Sequence, residues 1–276
     1  MTPPEGRIDL HAHSRHSDGM LAPDALIAEA ARRGVSILAL TDHDTVAGLP
    51  AARAAADAAG IRLVPGIEMS THEKGKDFHI LGYFLDDARP ELRILLTRLG
   101  ELRRARILDI LDALAREGIH IAPDEVYAEA AGGSVGRPHV ARVLIRRGHV
   151  TTMSQAFRKY LGPGATAYAK AHDLTPAEGI AALRAAGAVT SLAHPAFLED
   201  DALIPPLVGH GLQAVEAWHS HPSGDVSGRY LPLAEKLGIL VTAGSDFHDP
   251  EGGSAPLGTI HLAPEHFERL EAAQKG

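Results

Sequence analysis

The segment RIDLHAHSRHSDG, residues 7–19, places His11, His13, His16 and Asp18 within eight positions of one another. Similar groups recur far along the chain: His43 in LTDHDT, Glu68 in GIEMS, His79 in DFHILGY, His194 in SLAHP, and Asp246 and His248 in GSDFH. Imidazoles and carboxylates ligate divalent metals, and a metal site gathers such groups from distant segments, each presented by a rigid element. Taken singly, each of these residues reads as an ordinary hydrogen-bonded or exposed polar group, since histidine is abundant at 17 of 276 residues. With His16 set aside as a surface or supporting residue, the set holds six His, two Asp and one Glu. That is too many for one tetrahedral ion and suits two or three ions bridged by carboxylates.

Composition narrows the chemistry. The chain has no cysteine, which excludes disulfides, thiolate catalysis and Cys-ligated zinc or iron–sulfur centres, so any metal sits on nitrogen and oxygen. A formal net charge of −8 argues against a broad basic surface for duplex DNA or anionic membrane. An anionic substrate then needs positive charge supplied locally. Aromatic residues make up only 4%, without the stacking platforms common in single-strand binders. The N-terminal MTPPEGRIDLHAHS lacks the basic flank and apolar run of a signal peptide, and no stretch approaches the roughly 20 apolar residues of a membrane span. These features predict a cytoplasmic location with no membrane partner, and nothing implies an obligate protein partner.

The elements that must position these residues follow a βα rhythm. Apolar runs such as RIDLHAHS and SILALTDHD precede Ala-rich helical stretches such as PDALIAEAARRG and LPAARAAADAAG. Pro23 suits a helix first turn, and Gly34 and Gly60 suit helix stops. IRLVPGIEMS and DFHILGYFL supply further strands; after residue 170 the rhythm resumes through AVTSLAHP, LQAVEAWH and GILVTAGSDFH. Nearly all the polar residues fall at C-terminal strand ends, where the loops of parallel βα folds converge. His79 is placed at the start of its strand. Asp44 or Thr45 is expected to cap the helix that follows LTDHDT.

Residues 90–168 break the rhythm with four helical stretches, beginning with the charge-rich ELRILLTRLGELRRARILDILDALAREG. This predicts a core domain of residues 1–89 and 169–276 with a helical insertion at 90–168 that covers the site. Arg103, Arg104 and Arg106 share that first helix with Glu101 and Asp109 and are expected to form a solvated face.

The motifs DLHAHSRHSDG, LTDHDT, GIEMS, AHP and GSDFH resemble the hallmarks of the PHP (polymerase and histidinol phosphatase) family, over nearly the whole chain. The chain is most similar to the stand-alone phosphoesterases of that family with a helical insertion, which act on nucleoside 3′,5′-bisphosphates or trim RNA from the 5′ end. The resemblance implies a distorted (β/α)7 barrel with a trinuclear centre, commonly manganese, with iron or zinc as alternatives. Carried over by position, it implies that His11, His13, Glu68 and Asp246 hold one ion. Glu68 would bridge to a second ion on His79 and His194, and Asp18, His43 and His248 would hold a third. Glu68, Asp246 and His194 are the implied catalytic positions. Three divalent ions against three carboxylates leave a net charge of about +3, the local field a phosphate needs. Two ions sharing a water lower its pKa, so that hydroxide attacks phosphorus in line.

On the substrate side the resemblance points to Arg137 and His139 in SVGRPHVA and Lys170 in AYAKAHD as phosphate anchors. Pro138 at a helix start, with Arg137 and Lys170 solvated, is the plainer alternative. Trp218 reads either as a base-stacking group or, more simply, as a residue packed at a helix–sheet boundary, and His219 as a group able to protonate a leaving alkoxide. The leading expectation is hydrolysis of the 3′-phosphate of nucleoside 3′,5′-bisphosphates to 5′-nucleotide and phosphate, with trimming of short RNA open as an added activity. A histidinol-phosphate-type phosphatase and a non-catalytic metal-binding module are the alternatives.

Overall fold

The computed structural model describes residues 6–169, 174–252 and 255–275. Its first βα unit shows why the sequence folds locally as it does. Strand β1 (Arg7–Asp9) leads through a polar loop to helix α1 (Pro23–Arg32), which begins on a proline whose missing N–H would have had no intrahelical partner. Strand β2 (Val35–Leu40) is followed by α2 (Leu49–Ala59), which ends on Gly60 at φ 68°, a left-handed conformation that glycine adopts without steric cost.

Strands β3 (Arg62–Glu73) and β4 (Lys76–Tyr83) form a hairpin. Helix α3 (Pro90–Arg116) then opens a run of helices α4 (Pro123–Glu129), α5 (Arg137–Arg146) and α6 (Met153–Ala156), the last passing into a π-helical turn at Phe157–Leu161. The rhythm resumes with α7 (Pro176–Ala185), β5 (Val189–Leu192), α8 (Ile204–Gly209), β6 (Ala214–Trp218), α9 (Ser227–Leu237), β7 (Leu240–Ala243) and α10 (Pro264–Gln274).

The seven strands lie side by side in chain order. The ends come together as well: Leu10 N–H donates to Ala243 O at 3.1 Å, and Ala12 pairs with Phe247 in a parallel bridge. The result is a seven-stranded α/β barrel. Pairing is parallel except at β3/β4 and β4/β5, where β4 runs against its neighbours. The βα rhythm had pointed to parallel pairing; the Lys74–Gly75 turn is too short for a crossover, so β4 must return antiparallel.

Three apolar clusters hold these layers. Ile8, Ile37, Val64, Leu81, Val189, Ala214 and Ala243, one from each strand, meet inside the barrel with Phe267 and Leu270 of α10, which fill one end. A second cluster packs the outer strand faces against α1, α2, α7 and α9 through residues such as Leu26, Ala52, Leu183 and Tyr230. Residues Ile107 to Ala167 form a third cluster of their own. Burial of each such Leu or Ile side chain contributes about 1.5–3 kcal/mol. Helix α3 serves two clusters: Leu92 packs with the barrel, whereas Ile107, Ile110 and Leu114 pack with the helical segment. No helix among the described residues is long and apolar enough to cross a membrane.

Candidate metal centre

The barrel end opposite α10 carries the polar residues. His11 and His13 leave β1 on one face, and His43 follows β2, where it forms a parallel bridge with Glu68 of β3. His194 follows β5, and Asp246 and His248 follow β7. His79 lies early in β4, and the reversed direction of that strand brings its beginning to the edge where the other strands end. Asp18 comes from the loop between β1 and α1.

All nine side chains converge. Glu68, fully buried, is the hub: Oε2 lies 3.1 Å from both His11 Nε2 and His13 Nε2 and 3.3 Å from His43 Nδ1, while Oε1 lies 2.8 Å from His79 Nδ1 and 3.1 Å from His194 Nε2. Asp246 Oδ1 is 3.3 Å from His11 Nε2 and 3.2 Å from His13 Nε2, and Asp18 Oδ1 is 3.2 Å from His248 Nε2. Among the described residues, three donor sets have ligand atoms within 4.8 Å of one another: His11, His13, Glu68 and Asp246; His43, Glu68 and His79; and His13, Asp18, His43 and His248. The second set contains His43 beside Glu68 and His79, and His194 adjoins it, with its Nε2 3.3 Å from His79 Nδ1.

The donor chemistry fits metal ions. Among the described residues, His13 Nε2, Asp18 Oδ1 and His43 Nδ1 are buried close to charged neighbours but in hydrogen-bond geometry with none, and a buried polar atom of that kind carries a desolvation cost that a ligated cation would remove. Burial alone would raise the carboxyl of Glu68, but the imidazoles of His43, His11 and His79 outweigh it and hold it well below the usual range. Asp246 and Asp18 are depressed in the same way, by His11 and His248 and by His248 and His43 respectively. Burial opposes protonation of His13, yet Asp246 and Glu68 raise its pKa to about 10. His43 shows the opposite balance: burial pushes it well below the usual imidazole value.

Residues absent from the sequence prediction hold this cluster. Glu216 of β6 is fully buried and accepts a hydrogen bond from His11 Nδ1 at 3.0 Å, which fixes the tautomer that turns Nε2 towards Glu68. Its other oxygen accepts the His194 backbone N–H at 2.8 Å. Asp9 accepts the backbone N–H (3.0 Å) and hydroxyl (2.7 Å) of Ser245 together with the Gly258 N–H (2.8 Å), which anchors the loop bearing Asp246. Asp42 does the same for the loop bearing Asp18, through the Ser14 N–H and the hydroxyls of Ser14 and Ser17, each at 2.7 Å. Burial raises the pKa of both Asp9 and Asp42. His194 (φ 29°) and Asp246 (φ 52°) are non-glycine residues held in left-handed conformations, strain that the surrounding bonds must sustain. The signal in the sequence was an acidic residue inside an apolar strand run, which must find a partner once buried.

The substrate-side expectations divide. Arg137 opens α5, donates to Asp77 Oδ2 at 3.0 Å and lies 5.7 Å over the Phe157 ring. It lines a cavity of about 220 Å³ whose wall includes Asp18, His43 and His79. His139 does not face that cavity with a ring nitrogen. It is 1% exposed, with Nδ1 accepting the Gly136 N–H at 3.0 Å and Nε2 donating to Ser17 O at 2.9 Å, so both nitrogens are committed to main chain. Lys170 lies outside the described residues.

Two other expectations are corrected, and a third holds in its simpler form. Arg103 and Arg106 do not form a solvated face: both line the same cavity. Arg103 donates to Asp44 Oδ2 at 2.6 Å, Ser70 Oγ at 2.7 Å and Val135 O at 3.1 Å, while Arg104 stacks on Tyr127. Asp44 therefore caps no helix; with φ 51°, it takes the Ser70 N–H at 2.8 Å and the Arg103 guanidinium. Thr45 accepts the Ala47 N–H, ahead of α2, and caps no helix among the described residues. Trp218 packs between the two barrel clusters, 5.6 Å from the His266 ring, as a boundary residue. His219 is 4% exposed, its Nδ1 engaged with Glu216 O at 3.1 Å and its pKa lowered by burial.

Comparison with known proteins bears on this centre. The PHP domain family model matches residues 9–160. A 5′-3′ exoribonuclease of Haemophilus influenzae is 36% identical over 254 residues, covering 89% of this chain and 91% of that protein. A 3′,5′-nucleoside bisphosphate phosphatase of Chromobacterium violaceum is 34% identical, covering 93% and 92%. An amidohydrolase structure from C. violaceum with bound sulfate superposes with a TM-score of 0.87 at 33% identity, over 96% of each chain.

Proposed function

The chain belongs to the PHP domain family and is a metal-dependent phosphoesterase, and from that premise we propose that it removes the 3′-phosphate of nucleoside 3′,5′-bisphosphates. The observation that carries this reading is the union of the donor cluster with a cavity lined by Arg103, Arg106 and Arg137. The donors suit the phosphate that reacts, and the arginines suit a second phosphate that does not. A substrate with one phosphate would leave the arginine cavity without a function. Residues 1–89 and 169–276 act in this proposal as the phosphoesterase barrel, with 90–168 as its cover.

The proposed ligands are His11, His13, Asp18, His43, Glu68, His79, His194, Asp246 and His248, for three divalent ions, manganese first. Divalent ions on these donors lower the pKa of water and neutralise phosphoryl charge, which is the chemistry this hydrolysis requires. The chain's own groups do the positioning. Glu68 belongs to two donor sets and ties them together, and Glu216 and Asp9 keep His11 and Asp246 in orientation. Asp77 and Asp44 hold Arg137 and Arg103 at the cavity wall, where their positive charge supplies part of the local field a phosphate needs. Lys170 is the third anchor in this reading.

A second reading, 5′-end trimming of short RNA, is favoured by the 36% identity to the H. influenzae exoribonuclease. Both are tested by incubating manganese-loaded protein separately with adenosine 3′,5′-bisphosphate, 5′-phosphorylated short RNA and histidinol phosphate, with Asp246→Asn as control. Selective formation of 5′-AMP, lost in the control, supports the bisphosphate reading. Shortened RNA adds the second activity. Turnover of histidinol phosphate alone, or of none, overturns the nucleotide assignment.

A further inference from the structure

A second cavity, of about 550 Å³, opens from the other side of the donor cluster, where Asp246 and His248 form part of its wall. Beside polar groups that include Arg142, Ser220 and Asp249, it carries an exposed apolar side. Phe197, Met20 and Met153 line it, at 54%, 52% and 37% exposure, with Ile145 beside them. Among the described residues only five large apolar side chains are exposed, so three of the five gather at this one mouth. They come from separate segments: the turn after β5, the loop after β1, and the start of α6. Scattered exposed apolar residues need no explanation, but a cluster at a concave site marks binding.

We propose that this cavity seats the planar base of the nucleotide, with Phe197 as its stacking face. The inference rests on the nucleotide reading above and deepens it. The occupant must be joined to the reacting phosphate, because the cavity wall includes Asp246 and His248 of the donor cluster. Its volume lies within the range that holds small organic ligands. Thioether side chains adapt to different ring shapes, so Met20 and Met153 suit a seat that accepts more than one base. A nucleoside 3′,5′-bisphosphate then spans the centre with its 5′-phosphate in the arginine cavity, its 3′-phosphate on the donor cluster and its base on Phe197.

The test compares adenosine 3′,5′-bisphosphate with the base-free ribose analogue, using manganese-loaded wild type, Phe197→Ala, Phe197→Trp and, as control, Ile94→Ala, which is exposed on α3 and lines neither cavity. Stacking of a base on an aromatic ring is worth about 1–3 kcal/mol, so Phe197→Ala should raise KM for the nucleotide about tenfold beyond any change for the base-free analogue, and Trp should restore it. Equal responses of the two substrates overturn the seat. Calorimetric titration with adenosine 5′-phosphate and ribose 5-phosphate gives the same contrast without turnover. A base-dependent loss of affinity in a protein that hydrolyses neither bisphosphate would uphold the seat and overturn the proposed reaction. Turnover with no base-dependent loss would do the reverse.

Discussion

The second nitrogen of a metal-ligating histidine sets its tautomer and orientation, and for His11 the group that holds it is Glu216, 205 residues away in sequence. Glu216→Gln keeps the shape but replaces an oxygen that accepts a backbone or imidazole N–H with an amide. Manganese retained after dialysis, measured by elemental analysis, should show affinity lowered about 10- to 100-fold. Gly244 acts through its lack of a side chain: a Cβ there would stand 2.2 Å from His11 Cβ and 2.5 Å from His11 N. Gly244→Ala should therefore cost about 1–3 kcal/mol in a denaturant titration, since backbone cannot yield cheaply. The nine donors were legible because their types are unusual and recur at strand ends. Asp9, Asp42 and Glu216 were not, because an acidic residue in an apolar run announces that it needs partners without naming them.

At the scale of elements, the loop bearing Asp18 is tied to the helical segment by His139 to Ser17 O, Ser134 N–H to His16 O, and Arg142 to Asp18 O. His139→Ala leaves the Gly136 N–H and Ser17 C=O without this partner and should cost about 2 kcal/mol, with faster amide exchange over residues 14–19. Arg53 of α2 and Asp87 before α3 form a second tie, at 2.6 Å and 3.0 Å, and that hydrogen bond holds the Asp87 carboxyl below its usual value. A depressed carboxylate stabilises the fold above its unfolded pKa of about 3.9 and loses that contribution as pH falls through the folded value. Arg53 is 40% exposed, so screening limits the pair to about 0.5 kcal/mol. Asp87→Asn should melt below wild type at pH 7, and the difference should close below pH 4. Helices and strands were legible from apolar period and capping residues. The direction of β4 and the inward side of Arg103 were not, because both depend on what the chain meets in three dimensions.

For the whole molecule, a chain of net charge −8 concentrates its ligating carboxylates and imidazoles at one barrel end, so ions there should stabilise the fold by mass action. At a hundredfold excess over Kd each site adds about 2.7 kcal/mol. Saturating manganese should raise the melting midpoint by roughly 5–10 °C per such site, chelation should reverse it, and Asp246→Asn should weaken it. The seven-stranded closure was foreseen through the family motifs, whereas the sharing of α3 between two clusters was not, since its apolar residues carry no mark of which core they join. That sharing makes α3 a ruler. Its 27 residues span about 40 Å, with Leu92 set in one core, Ile107 in the other and Arg103 between them. Adding or deleting a single residue between Leu92 and Arg103 would turn everything beyond by about 100° and shift it by about 1.5 Å, carrying the guanidinium away from Asp44 without altering the composition of either core. Along this stretch, chain length is itself a specification, independent of the letters that the outer face carries.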